Sequence, residues 1–324
     1  MKSVLALLFI AFTVHAADYD PLRAVTASKA APVDFTVHDA KRDRDLPIRV
    51  YLPIEVKAAP VVLFSHGLGG SRENNPYLGR HWSARGYVVV FVQHPGSDES
   101  VWRGQGPARI PMAMKQAANA QNFMLRAADI PAVLDQLERW NAQSDHALHG
   151  RLDLAHVGMS GHSFGAVTTQ AVSGQSMLGS ARLTDSRIKA AVMMSPSVPA
   201  AGSPERAFGS VKLPWLLMTG TKDVARIGAM NIGGDLDSRL GLYPALPPGD
   251  KYELVLKDAE HGAFGERALP GEGMKPNPNH HRVILALSTA FWDAYLRGDA
   301  AAKTWLTGDG PRTVMEKDDR WQHK

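Results

Sequence analysis

Val157-Gly158-Met159-Ser160-Gly161-His162-Ser163-Phe164-Gly165-Ala166 is the stretch whose reading decides the fold. It reads as a buried strand, a sharp turn and the first turn of a helix. Inside it lies G-x-S-x-G, here Gly161-His162-Ser163-Phe164-Gly165. A serine at the tip of a strand-to-helix turn is held in a strained backbone conformation. Only glycine-sized neighbours two residues to either side let strand and helix come so close. Such a turn lifts the Ser163 hydroxyl above the sheet. It also leaves the Phe164 N–H at the positive end of the helix, free to bind an anion. A Gly-rich turn with a capping serine has the same letters, so the rest of the chain must supply the partners that the chemistry needs.

Working outward, 34–38 and 46–52 read as two strands around a charged turn at 41–45, an antiparallel hairpin. The continuous apolar runs 60–65 and 87–92 have the pattern of central parallel strands. Further strands are expected at 155–159, 188–194, 213–219 and 252–256. Helical patterns lie between them at 76–85, about 112–141, 166–173 and 282–296. Strands alternating with helices imply a parallel sheet covered on both faces. The expected class is therefore α/β: an α/β-hydrolase fold with a mostly parallel eight-stranded sheet and helices on both faces. One domain is expected over 17–307, followed by a peripheral charged tail at 308–324. Two long Gly- and Pro-rich segments, 96–111 and 224–250, follow strands at the ligand-binding end of such a sheet. They are expected to wall a substrate site.

Residues 1–16 read as an export signal. Lys2 supplies the positive start, 4–14 is an apolar run too short to span a bilayer comfortably, and Val14-His15-Ala16 suits cleavage. The mature chain is expected to begin near Ala17, in a periplasm or the medium, with no stable membrane anchor. The chain has no cysteine, which excludes disulfides, a thiolate nucleophile and a zinc–thiolate site. A net charge of +4 without any Lys/Arg run does not point to nucleic acid. A monomer acting on a small molecule is the expectation.

A serine is a poor nucleophile near neutrality and needs an adjacent base. Thirteen histidines are present, so position must select among them. His261, just beyond the strand at 252–256, lies where the base belongs; His280 and His281 at the start of the last helix compete with it. The imidazole needs an acid to fix its tautomer. Asp223 follows the strand at 213–219 directly, with Asp235 and Asp237 further along as alternatives. The region 195–204, after the strand at 188–194, holds no acid at all, so that competing location is empty. The chain order Ser163, Asp223, His261 is that of α/β-hydrolases. Acyl transfer also needs two preorganised N–H donors for the oxyanion. Phe164 offers one. The glycine-rich loop Phe64-Ser65-His66-Gly67-Leu68-Gly69-Gly70 offers the other, assigned to the Leu68 N–H. His66 reads as a hydrogen-bonded loop residue, not a second base.

Together, 64–70 and 161–165 resemble the secreted platelet-activating-factor acetylhydrolase family and bacterial proteins labelled dienelactone-hydrolase-like, over roughly 61–261. The resemblance implies a triad at Ser163, Asp223 and His261 and an oxyanion hole at the Leu68 and Phe164 N–H groups. It implies hydrolysis of short or oxidised acyl esters without interfacial activation. Dienelactone hydrolases proper use a cysteine nucleophile, which this chain lacks, so that activity is not implied. The functional expectation is an exported serine carboxylic ester hydrolase with no metal or organic cofactor. An amidase or peptidase with the same triad, or a non-catalytic binding domain, are the alternatives. Trp102, Met112, Met230 and Tyr243, contributed by the loops after the strands at 87–92 and 213–219, are candidates for lining an apolar substrate pocket.

Overall fold

A computed structural model describes residues 19–25, 31–54, 57–177, 179–227, 230–266 and 277–324. The expected export signal at 1–16 lies outside them. The strands are β1 (Val33–Asp39), β2 (Arg44–Tyr51), β3 (Ala59–Ser65), β4 (Val88–Val92), β5 (Leu152–His162), β6 (Ile188–Met194), β7 (Trp215–Lys222), β8 (Ala225–Ile227), β9 (Met230–Gly233), β10 (Lys251–Glu260) and β11 (Arg320–His323). The helices are α1 (Pro76–Ala84), α2 (Ile110–Ala117), α3 (Ala120–Ala142), α4 (Phe164–Val172), α5 (Pro204–Phe208), α6 (Leu236–Leu240), α7 (Leu242–Ala245), α8 (Pro278–Leu296) and α9 (Ala300–Thr307).

The main sheet has nine strands in the order β1-β2-β4-β3-β5-β6-β7-β10-β11. Its centre, from β4 to β10, is parallel. The β1–β2 and β2–β4 pairs on one side and the β10–β11 pair on the other are antiparallel. The sheet is thus mixed, where a mostly parallel sheet of eight was expected. The extra strand comes from the segment expected to be a peripheral tail: Tyr252 to Val255 pair with Arg320 to His323. That strand is polar, four residues long and mostly exposed, so it lacks the alternation that marks a half-buried strand.

Alternate residues of the central strands face opposite helical layers, as period-two geometry requires. Val62, Phe64, Val89 and Val192 pack with Trp82 of α1 and Phe291 and Trp292 of α8. Val61, Leu63, Val90 and Met159 pack with Ile130, Val133 and Leu137 of α3. The single helix expected over about 112–141 is two helices. The break falls at Asn119, whose side chain accepts the Asn122 N–H at 2.8 Å and caps α3. The 224–250 segment is not a bare loop but the small β8–β9 hairpin followed by α6 and α7. No described helix is long and apolar enough to cross a membrane.

Candidate active site

Because β3, β5, β7 and β10 run parallel, their carboxyl ends lie on one side of the sheet. The residues that follow them are brought together there. Ser163 sits between β5 and α4 with φ 56 and ψ −118, a conformation that costs a non-glycine residue on the order of 1–3 kcal/mol. Its amide is tied to the Met194 carbonyl at 2.9 Å. The flanking glycines are required by contact: a Cβ on Gly161 would come 2.3 Å from the Gly165 oxygen, and one on Gly165 would come 1.8 Å from the Ser65 oxygen.

His261 Nε2 lies 2.9 Å from Ser163 Oγ, and His261 Nδ1 lies 2.7 Å from Asp223 Oδ1. The Nδ1–H therefore donates to the carboxylate, and Nε2 is the acceptor facing the serine. Asp223 is fully buried and His261 nearly so. Asp223 also accepts from Thr219 Oγ1 at 2.8 Å and pairs with Arg239 Nε at 3.0 Å. Burial alone would raise the Asp223 carboxyl, but His261 and Arg239 beside it outweigh burial and hold it well below the usual range. Arg239 Nη1 donates to the Ser195 and Pro196 carbonyls, so this buried cation anchors the turn after β6 to the acid. The competing residues are engaged elsewhere. Asp235 caps α6, accepting the Ser238 N–H, and Asp237 lies in that helix's first turn. His280 donates to the Lys257 carbonyl, and His281 stacks on Tyr77.

The Leu68 and Phe164 N–H groups donate to no acceptor among the described residues. Phe164 begins α4, where an N–H has no intrahelical partner. The Gly67–Leu68 peptide is held by its other end. The Gly67 carbonyl accepts His66 Nδ1–H at 2.6 Å and the Gly70 N–H at 3.0 Å, which turns the Leu68 N–H the opposite way. A cavity of about 100 Å³ adjoins Ser163, lined among others by Leu68, Phe164, Val167, Ser195 and Arg239.

Of the four expected pocket residues, Trp102, Met112 and Tyr243 are not part of that lining. Trp102 packs behind the glycine loop and donates its Nε1–H to the Gly69 carbonyl at 2.7 Å. Met112 is half exposed, at 52%. Tyr243 is buried on α7 in the apolar layer around Phe208 and Trp215, with the Lys324 ammonium over its ring. Met230 falls on β9, and its side chain is outside what is described. Loop aromatics looked like pocket walls because sequence does not say which side of a loop faces in. Arg239 and Thr219, which do touch the acid, carried no sequence signal. One is a lone arginine in a polar segment and the other a threonine inside a strand.

Three histidines here are kept neutral. Burial pushes His162 down to about 3, with His261 beside it adding to the effect. His162 donates its Nε2–H to the His261 carbonyl. Burial and then Arg126 lower His66 and His94 as well. An unfolded histidine titrates near 6.5 (about). Below that value the unfolded chain binds more protons than the folded one, so stability is complete above it and is lost as pH falls toward the folded values. The slope is about 1.4 kcal/mol per pH unit for each extra proton. Urea midpoints measured at pH 7 and pH 5 should therefore be lower at pH 5, and His162→Gln should reduce the difference. Equal midpoints would count against neutral buried histidines.

In comparison with known proteins, a family model for platelet-activating factor acetylhydrolase, isoform II, matches residues 46–105. The match runs from β2 through the Leu68 loop and β4 to just past Trp102, and ends before Ser163, Asp223 and His261. No curated protein matches the chain. The matched family acts on esters, and the mixed α/β sheet agrees with its fold: over this stretch the chain resembles the platelet-activating factor acetylhydrolase family of α/β-hydrolases.

Proposed function

We propose that the protein is an exported serine carboxylic ester hydrolase acting on small acyl esters. The observation that carries this is the unbroken hydrogen-bonded run from Asp223 through His261 to Ser163, beside two N–H groups that are unengaged among the described residues. In this reading Ser163 Oγ attacks the ester carbonyl while His261 Nε2 takes its proton. The Leu68 and Phe164 N–H groups receive the oxyanion, and His261 then protonates the departing alcohol. Water activated by the same imidazole releases the acid and restores Ser163. Asp223 stays ionised throughout and stabilises the imidazolium. No metal or organic cofactor enters this scheme, and the protein acts as a monomer in a periplasm or the medium.

The acyl group is short in this reading, in keeping with the small cavity of about 100 Å³ that the described residues form beside Ser163. A series of p-nitrophenyl esters tests this. kcat/KM should fall by about tenfold or more between butyrate and octanoate, since methylenes that do not fit are rejected at this scale. A flat or rising series would remove the short-acyl assignment. The matching anilides, run in parallel, separate an esterase from an amidase with the same triad. Anilide turnover equal to that of the ester would favour the amidase.

A further inference from the structure

Arg126 projects from α3 into the interior and is completely buried. Its hydrogen-bond partners among the described residues are all neutral, with Asp129 and Asp98 acting on it only from further off. Nε donates to Thr168 Oγ1 at 3.0 Å, Nη1 to Ser97 Oγ at 2.9 Å, and Nη2 to Ser65 Oγ at 2.9 Å and to the His66 carbonyl. Its guanidinium carbon lies over the Phe164 ring, 4.6 Å from the centroid. Burying a cation among neutral groups is costly unless its hydrogen bonds are well made. These partners are not scattered. Ser65 and His66 open the loop that carries Leu68. Thr168 lies one turn into α4 and donates to the Phe164 carbonyl at 3.0 Å. Ser97 holds the same loop from outside, its carbonyl accepting the Gly69 N–H at 2.9 Å.

The cation also joins a buried polar array. Ser65 Oγ donates to His94 Nε2 at 2.9 Å, His94 Nδ1–H donates to Asp129 at 2.8 Å, and Arg42 and Arg44 close the far side on Asp129. The His94 N–H donates to His66 Nε2 at 3.1 Å, which leaves the His66 Nδ1–H to hold the Gly67 carbonyl. Ser65, His94 and Asp129 have triad-like contacts but no exposure, so they have no access to substrate.

We propose that Arg126 is the positioning residue of the oxyanion hole. Its planar fork clamps the loop at 65–70 to the first turn of α4 and so sets the spacing between the Leu68 and Phe164 N–H groups. The proposal rests on reading Ser163 as the nucleophile. Arg126 touches no reacting atom. It acts through the two backbone segments that do, and a lysine there keeps the charge but not the fork.

The test uses the full chain with Arg126→Met and Arg126→Lys, a p-nitrophenyl ester, and a fluorophosphonate probe taken to completion to count reactive Ser163. kcat is expressed per titrated site. Arg126→Met should lose about 10² to 10³ in this quantity, the scale of a displaced oxyanion donor. Arg126→Lys should lose about tenfold, being a partial rescue of the methionine variant. KM should stay within about twofold in both, because ground-state binding is not what the clamp controls. A parental kcat per titrated site in either folded variant, with only fewer titratable sites or a lower melting temperature, would make the role structural and overturn the proposal. If Arg126→Met does not fold, Arg126→Lys decides by the same criterion. A Ser163→Ala protein that still turned over the ester would instead remove the nucleophile reading itself, and that result is distinct from any outcome at Arg126.

Discussion

Ser163→Ala is expected to lose up to about 10⁶ in kcat, with the protein still folded. The size follows from what is removed. The proposed scheme needs a bond between Oγ and the acyl carbon, and alanine leaves His261 with nothing to deprotonate but water. Residual hydrolysis would come from the oxyanion donors and from binding alone, which can retain about 10³ to 10⁴ over water. Stability should hardly change, because alanine at φ 56 is strained much as serine is. Ser163→Gly separates the two effects. It should be equally inactive yet melt higher than the parent, since glycine adopts that backbone freely. A variant with a substantial share of parental kcat would remove Ser163 as nucleophile.

Asp223→Asn is the second large effect, a loss of about 10⁴ in kcat with KM nearly unchanged. Aspartate can only accept, so it fixes the His261 proton on Nδ1 and leaves Nε2 open toward Ser163 at 2.9 Å. Asparagine can donate its amide to Nδ1, which puts the ring proton on Nε2 and makes it useless as a base. This change should also lower the melting temperature. Arg239, 2% exposed, loses the carboxylate it pairs with at 3.0 Å and becomes a buried cation left, among the described residues, with carbonyls, a hydroxyl and the His261 ring. Asp235→Asn and Asp237→Asn serve as controls and should keep most activity. A collapse of kcat at either of them, with Asp223→Asn active, would reassign the acid.

Much of the architecture was readable because burial on both faces leaves a plain mark. The run 60–65 has no polar interruption until Ser65, and the strand it announces is Ala59–Ser65. The turn around Ser163 was readable for a steric reason, since only glycine fits at 161 and 165. Reading failed where the deciding contact is distant in sequence. Arg320–His323 is a strand only because Tyr252–Val255 offers a free side. The array behind the glycine loop joins Arg126, His66 and His94 from three elements, and an arginine within a helical pattern looks like any solvated one. Tyr243 and Met112 were drawn to the pocket by loop position alone, yet the first is 7% and the second 52% exposed. Loop residues have no period from which an inward face can be inferred.

The strand that leads into His261 would be the outermost of the sheet if Arg320–His323 did not cover it. An uncovered strand is a row of free N–H and C=O groups on which another chain can add itself. Here the covering strand is short, mostly exposed and carries Arg320, with Lys324 beside it paired back to Lys251. A brief, charged border of this kind is a poor template for further growth, so it ends the sheet as well as extending it. Its loss would turn an interior strand into a sticky one that leads directly into His261. Clipping the last residues, or pulling them away with a fused extension, should therefore reduce colloidal solubility before it reduces turnover, with self-association beginning on the side of the molecule that carries the histidine.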